Sequence, residues 1–418
     1  MNYKSNKTRM SQRTNADSNR KNRNSWRNGR DSETSNRHTT SRSQADISEE
    51  RYANGRLRSR VKLVCGLPHG VMELWHENGQ LYSRKEYSNG QITGYVPEWD
   101  EHGRLLIATN YEHGEMDGIR EEWYPNGKLR SQSRFSKGRV NGRFQMWYEN
   151  GQLQSEGSFA LGEREGLLKQ WYATGQLRSR KEFSMGHQQG KEQLWFENGQ
   201  LKIESEIQND RPHGVFRTWH DNGVLESEGT FKDGKKVGDH QKWHSSGMVR
   251  FQGRYVRERL SGCRKFWHDD GSLMTRSEIN DNELNGKHEE WNNVGILTVR
   301  ALMRNGEPHG LCEWWFDNGI MKSRVTMNSG LPNGKCEEWY ENGQLRAKAV
   351  VKRGEEHGLH EEWNSEGALI MRAHFRKGKL HGLSEIWDDS GTLLECADYI
   401  NGQYMSGLRT DGTDPWSH

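Results

Sequence analysis

Apolar and glycine positions recur along this chain with a period of 24 residues. Tryptophan stands at Trp75, Trp99, Trp123, Trp147, Trp171, Trp195, Trp219, Trp243, Trp267, Trp291, Trp315, Trp339, Trp363 and Trp387 without a slip. Four residues after each Trp comes Gly, from Gly79 to Gly391, and five before it another, from Gly70 to Gly382. Six after it stands Leu, Val or Met, and twelve after it an aromatic or aliphatic residue such as Tyr87, Phe135, Ile279 or Val351. A degenerate copy precedes the first Trp, with Arg51 in the Trp place followed by Tyr52, Asn54, Gly55 and Leu57. After Trp387 the pattern decays, with Gly402 in place and Gly407 one residue late. A period held this long denotes stacked copies of one supersecondary unit, each burying its apolar side against its neighbours, with altered copies as caps.

The unit is a β-hairpin. In Gly118 to Phe135, two short runs flank Asn126-Gly127, the strongest local hairpin signal. In the second run Leu129, Ser131, Ser133 and Phe135 alternate with Arg130, Gln132 and Arg134, as in a half-buried strand. The predicted fold is all-β: one twisted sheet of consecutive antiparallel hairpins, about 14–15 repeats long. At about 4.8 Å per strand, a straight array would be a rod of roughly 130 Å.

A three-residue loop, Pro125-Asn126-Gly127, pairs Trp123 with Leu129 and requires positive φ at Gly127. It is expected to place Trp, Leu and the later aromatic on one face, with the Trp ladder as core. The second Gly column, preceded by His69, Asp117, Asn141, His213 or His309, reads as the return turn. On the outer face Glu122 is expected opposite Arg130, and Glu338 opposite Arg346.

The unit GKCEEWYENGQL, Gly334 to Leu345, resembles the MORN-variant repeat. It is similar to repeats of bacterial antitoxin-like proteins and of MORN-repeat proteins in large DNA viruses. The resemblance covers roughly residues 51–407. It implies an all-β rod with a role in scaffolding or protein contacts. Some MORN proteins are credited with binding phospholipids, but no separate lipid-site motif is visible here. No kinase or methyltransferase domain is fused to the array.

Composition agrees with a thin array: hydrophobic residues make up 31% of 418, and Gly numbers 47. Residues 1–50 differ, with Asn, Ser, Arg and Thr predominating and 11 basic against 6 acidic residues. They read as a disordered basic tail, residues 51–407 as the array, and residues 408–418 as a second disordered tail. The first tail is read either as a solubilising segment or as an arm touching acidic surfaces through Arg20, Lys21, Arg23, Arg27 and Arg30. It has no apolar run for a signal peptide, and nothing downstream is long and apolar enough to span a membrane.

Five cysteines, Cys65, Cys263, Cys312, Cys336 and Cys396, show no CxxC pair and no zinc spacing. Cys312 and Cys336 share a column one hairpin apart, about 10 Å, beyond disulfide reach. Reduced cysteines point to a cytoplasmic or other intracellular setting. His69, His213, His309, His357 and His381 form a turn column, and Glu121, Glu289, Glu337 and Glu361 recur at equivalent places rather than converging. No GxSxG and no GxxxxGK[ST] appears. No enzyme, metal, cofactor or small-molecule substrate is therefore expected. Trp314, beside Trp315 and sharing a column with Phe266 and Leu194, breaks the expected outer face and is the candidate partner contact. Two functions remain: a scaffold holding protein partners on the array, or a tether to acidic membrane or nucleic acid through the tail, with the array as spacer.

Overall fold

The computed structural model describes residues 45–409, and these residues form one antiparallel sheet of 32 strands paired in sequence order, except that Arg259–Leu260 and Gly262–Trp267 both pair with Val249–Val256. One repeat reads Glu115–Trp123, a loop, Leu129–Ser136, a turn, then Arg139–Trp147. The loop is the three-residue one: Tyr124 N–H donates to the Lys128 carbonyl and Gly127 N–H to the Tyr124 carbonyl, both at 2.9 Å. Gly127 has φ 82° and Trp123 pairs with Leu129. Glycine at this point avoids the Cβ clash of the left-handed region.

The return turn differs from the sequence expectation. It consists of Lys137-Gly138, with φ 48° and 75°, and recurs as Asn89-Gly90 and Asn305-Gly306. Two consecutive positive φ values define the two-residue turn whose twist matches the strands. Gly118, expected in that turn, instead sits inside its strand at φ 105°, where the register slips between Thr109 and Tyr111. The second Gly column is a β-bulge column, so His69, His213, His309, His357 and His381 precede bulges rather than turns.

A second bulge follows each Trp. Trp123 pairs with Leu129, but Glu122 pairs with Ser131, leaving Arg130 as the extra residue. The expected Glu122–Arg130 and Glu338–Arg346 register is thereby displaced, and Glu338 stands opposite Ala347. Arg346 still reaches Glu338 at 3.6 Å from its bulged position.

This bulge also separates the faces. Counting back along the regular first strand, the residues one, three and seven before the Trp share a face with those eight, ten and twelve after it. Ring contacts agree: Phe144 meets Phe159 at 5.7 Å and Phe216 meets Phe231 at 5.3 Å. Trp and the following Leu point to the opposite face, so the Trp column does not pack on the aromatic column as the sequence reading had it. The guanidinium of Arg300, nine after Trp291, lies 5.4 Å from the Trp315 ring on that opposite face, and Arg372 stacks on Trp387 likewise.

The core is the first face, here the apolar face. Its centre is an unbroken row of directly paired residues, running Ser277, His288, Ala301, Cys312, Val325, Cys336, Ala349, His360, Ala373, Ser384, Ala397. Cys312 and Ala373 in this row are 0% exposed. Small residues at the centre let larger flanking side chains close over them, which is how a single sheet buries a core. Val325 lies between Cys312 and Cys336, and all five cysteines are free thiols. Burial raises the Cys312 and Cys336 thiols above their usual range.

The ends reach past the expected boundaries of 51 and 407. Ala45–Arg51 is a strand pairing with Leu57–Val64, so the degenerate first copy has both strands; Glu49 bridges Arg60 at 2.9 Å. Its acidic residues give the sheet a charged edge, which discourages further pairing. At the other end Gln403–Arg409 is a strand, and the late Gly407 stands opposite Ala397, where a Cβ would lie 2.7 Å from the Cys396 carbonyl. The remaining tail residues, including Trp26, Trp416, Arg20, Lys21, Arg23, Arg27 and Arg30, lie outside the described residues.

Candidate interaction surface

The second face carries charge. Between residues 289 and 385 the residues two before and nine after the Trp pair into a ladder: Glu289, Arg300, Glu313, Arg324, Glu337, Lys348, Glu361, Arg372, Glu385. Each cation stands between two carboxylates. Arg324 lies 3.1 Å from Glu313, and Arg372 lies 3.1 Å from Glu361 and 3.9 Å from Glu385. The recurring Glu column read from the sequence is therefore one side of a structural ladder. Such exposed pairs fix register more than they stabilise, at about 0.2–1 kcal/mol each.

Beside the ladder runs the Trp–Leu row, in which every Trp of the ladder is half-buried. On the other side of the charge ladder, four before the Trp, stands a column that the sequence pattern alone does not single out. Val71, Tyr95, Ile119, Val215, Leu311, Leu359 and Leu383 occupy it and are exposed, Tyr95 at 53% and Ile119 at 45%, while Arg143, Lys191, Asp239, Lys287 and Lys335 interrupt it with charge. The apolar spacing was visible in the sequence; only the bulges showed which face it takes.

The loops lock one repeat to the next. The Tyr124 hydroxyl donates to the Trp147 carbonyl at 2.8 Å, and Tyr148, Tyr172 and Tyr340 repeat the bond one hairpin on. His76, His220, His244 and His268 substitute for Tyr, placing Nε2 against the next Trp carbonyl and so requiring a proton there. The loop Asn does two jobs. Asn126 Oδ1 accepts from Lys128 N–H at 3.0 Å, and its Nδ2 donates to the Glu149 carbonyl at 3.1 Å. Where the residue after Trp is Asp or Asn, as at Asp100, Asn292, Asn364 and Asp388, that side chain caps the loop itself. The downstream Asn is then absent, replaced by His102, Val294, Glu366 or Ser390. The two caps alternate because the loop N–H groups need one acceptor, not two.

Trp314 lies on the apolar face, half-buried against Ala301, Cys312 and Val325. Its column neighbour Phe266 rests on Phe251 with ring centroids 5.1 Å apart. Among the described residues, no group of three or more His, Cys, Asp or Glu could hold a metal, and no helix is long and apolar enough to cross a membrane.

The family model described as MORN repeat variant matches residues 68–89, 116–137, 140–160, 164–184, 188–209, 212–233, 308–328 and 332–352. These eight segments are MORN-variant repeats. Each matched segment spans one hairpin, from near the start of its first strand to the end of its second. The hairpins around Trp99, Trp243, Trp267, Trp291, Trp363 and Trp387 fall outside the matched segments, yet keep the same strands and loops apart from a break at Ser261 in the strand leading to Trp267. No curated protein matches the chain. Among solved structures, the chain aligns with "Crystal Structure of TcdB2-TccC3-TEV" at 11% identity, covering 84% of this chain and 23% of that one, with TM-score 0.15. It aligns with "Crystal Structure of TcdB2-TccC3" at 10% identity, covering 88% and 26%, with TM-score 0.15. The chain spans about a quarter of those chains, and at these scores the alignments carry no argument about fold or function.

Proposed function

We propose that the protein is a non-enzymatic interaction scaffold whose MORN array holds protein partners. The observation that carries this reading is the exposed apolar column Val71, Tyr95, Ile119, Val215, Leu311, Leu359 and Leu383. It lies beside a charge ladder and a half-buried Trp row on one face. Apolar side chains exposed in register along one face have the composition of an interface, with apolar anchors beside paired charge. Repeat arrays use extended surfaces of this kind for binding.

Partner capture tests the reading, with proteins identified by mass spectrometry. The intact chain, a chain lacking residues 1–44, and a Leu311→Glu/Leu359→Glu/Leu383→Glu variant are compared. A scaffold keeps its partners without the tail and loses them in the triple variant at unchanged melting temperature. The opposite pattern, partners lost with the tail and kept in the triple variant, would establish the tether.

A further inference from the structure

The apolar face changes character between Phe216 and Tyr255. Elsewhere the residue seven before the Trp is mostly apolar, as in Pro212, Leu260, Leu284, Pro308, Pro332 and Leu380. The polar exceptions elsewhere mostly have partners: Arg164 stacks 5.4 Å from the Phe183 ring, and Glu356 meets His360 at 2.8 Å. At Lys236 the same position holds an ammonium group whose described contact is the Tyr255 ring, 5.1 Å away. Burial, and then the charge of Lys242, hold its pKa below the usual lysine range. Among the described residues neither Lys236 nor Lys242 pairs with a carboxylate. On a face where most charges are matched, two unneutralised cations together are an anomaly.

They stand at a hollow. In this stretch the central row carries Gly229 and Gly253 opposite His240. The His240 ring fills the space over Gly229, and beside it lies a cavity of about 170 Å³ lined by Phe216, Phe231, His240, Phe251 and Tyr255, by both lysines, and by Glu228, which pairs with Arg217 at 2.6 Å. Phe231 meets His240 edge-on at 5.5 Å and His240 meets Tyr255 at 4.8 Å, so the walls are mostly aromatic. Small-molecule sites have volumes of about 300–1,000 Å³, so this hollow is sized for one inserted side chain.

We propose that this hollow receives one apolar side chain of an acidic peptide segment of a protein partner, whose flanking carboxylates neutralise Lys236 and Lys242. The inference rests on the scaffold reading and places one contact of it on the apolar face. An aromatic or branched anchor enters the space between the Phe216, Phe231, His240, Phe251 and Tyr255 rings. Carboxylates beside it neutralise two ammonium groups that line the same cavity, which is electrostatic complementarity.

The test uses the full chain and fluorescein-labelled short peptides followed by anisotropy: an acidic peptide with a central phenylalanine, the same peptide with serine for phenylalanine, and the same peptide with amides for its carboxylates. The first peptide is expected to bind at least about tenfold tighter than either control, and its affinity to fall with added salt. Lys236→Glu/Lys242→Glu is expected to abolish the difference at unchanged melting temperature, whereas the Leu311→Glu/Leu359→Glu/Leu383→Glu variant, altered on the opposite face, retains it. Equal binding of the three peptides, no binding of the first, or binding indifferent to the lysine changes overturns the proposal. Partner capture that fails in the leucine variant but survives in the lysine variant overturns this site and leaves the scaffold reading standing.

Discussion

Residues 288–397 and residues 216–264 share one repeat plan but fill the central row of the apolar face in opposite ways. The later stretch uses mainly small or medium side chains on both strands, such as Ala301, Cys312, Val325 and Ala349. The earlier stretch sets large against none: Phe216 against Gly229, Gly229 against His240, His240 against Gly253. It also takes in Arg264, whose Nε is buried without a hydrogen bond and whose pKa burial lowers. There the strand breaks at Ser261, whose N–H turns to the Arg254 carbonyl at 2.9 Å. A row needs a constant sum of volumes across each pair, not a constant residue type. The even solution gives a closed core, and the uneven one gives a hollow.

The largest expected effect lies in the uneven stretch. Phe251→Ala removes a 7%-exposed ring that rests on Phe266 and should cost about 3–5 kcal/mol in chemical denaturation. A loss well below that would mean the aromatic wall is not packed.

Overpacking sharpens the contrast. Ala373→Leu, in a position 0% exposed, should cost about 1–3 kcal/mol. Gly229→Ala should cost a similar amount, because its Cβ would overlap the His240 ring. Adding His240→Ala should rescue Gly229→Ala but leave Ala373→Leu unimproved. A double-mutant cycle showing no coupling between positions 229 and 240 would refute the large-against-none account.

The turns should not distinguish the stretches. Gly223→Val and Gly343→Val, at φ 85° and 88°, should each lose roughly 1–2 kcal/mol by forcing a β-branched residue into the left-handed region. Unequal thermal shifts would show that the two regions do not share the loop.

A smaller, pH-dependent difference is expected. Burial holds the His240 pKa below its ordinary value, and neighbouring Lys236 adds to this. In the unfolded chain the imidazole titrates near about 6.5, so below that pH the unfolded state binds more protons. Stability should therefore be full above about pH 6.5 and decline as pH falls toward the folded pKa. The decline should flatten in His240→Asn when denaturation midpoints are measured across that range. The smallest effect should come from Arg324→Gln in the charge ladder, at most about 1 kcal/mol and less in high salt.

Much of this molecule was legible in its residues. The unbroken Trp and Gly columns determined a hairpin array, because a period of 24 with no insertion admits one supersecondary unit per copy. The Asn-Gly loop and its register with Trp and Leu also followed, since Gly127 needs positive φ and a three-residue loop sets that pairing. The sequence did not determine the faces. The bulge beside each Trp adds one residue on one strand and none on its neighbour, and side-chain direction has a period of two. Counting along the second strand therefore put Trp123 with Phe135, while the bulge at Arg130 puts them on opposite sides. The apolar column of Ile119 and Leu311 and the hollow beside Lys236 depend on that parity. Local pattern specified the hairpin; the slip in pairing beside each Trp, which exists only once the strands are paired, decided what each face presents.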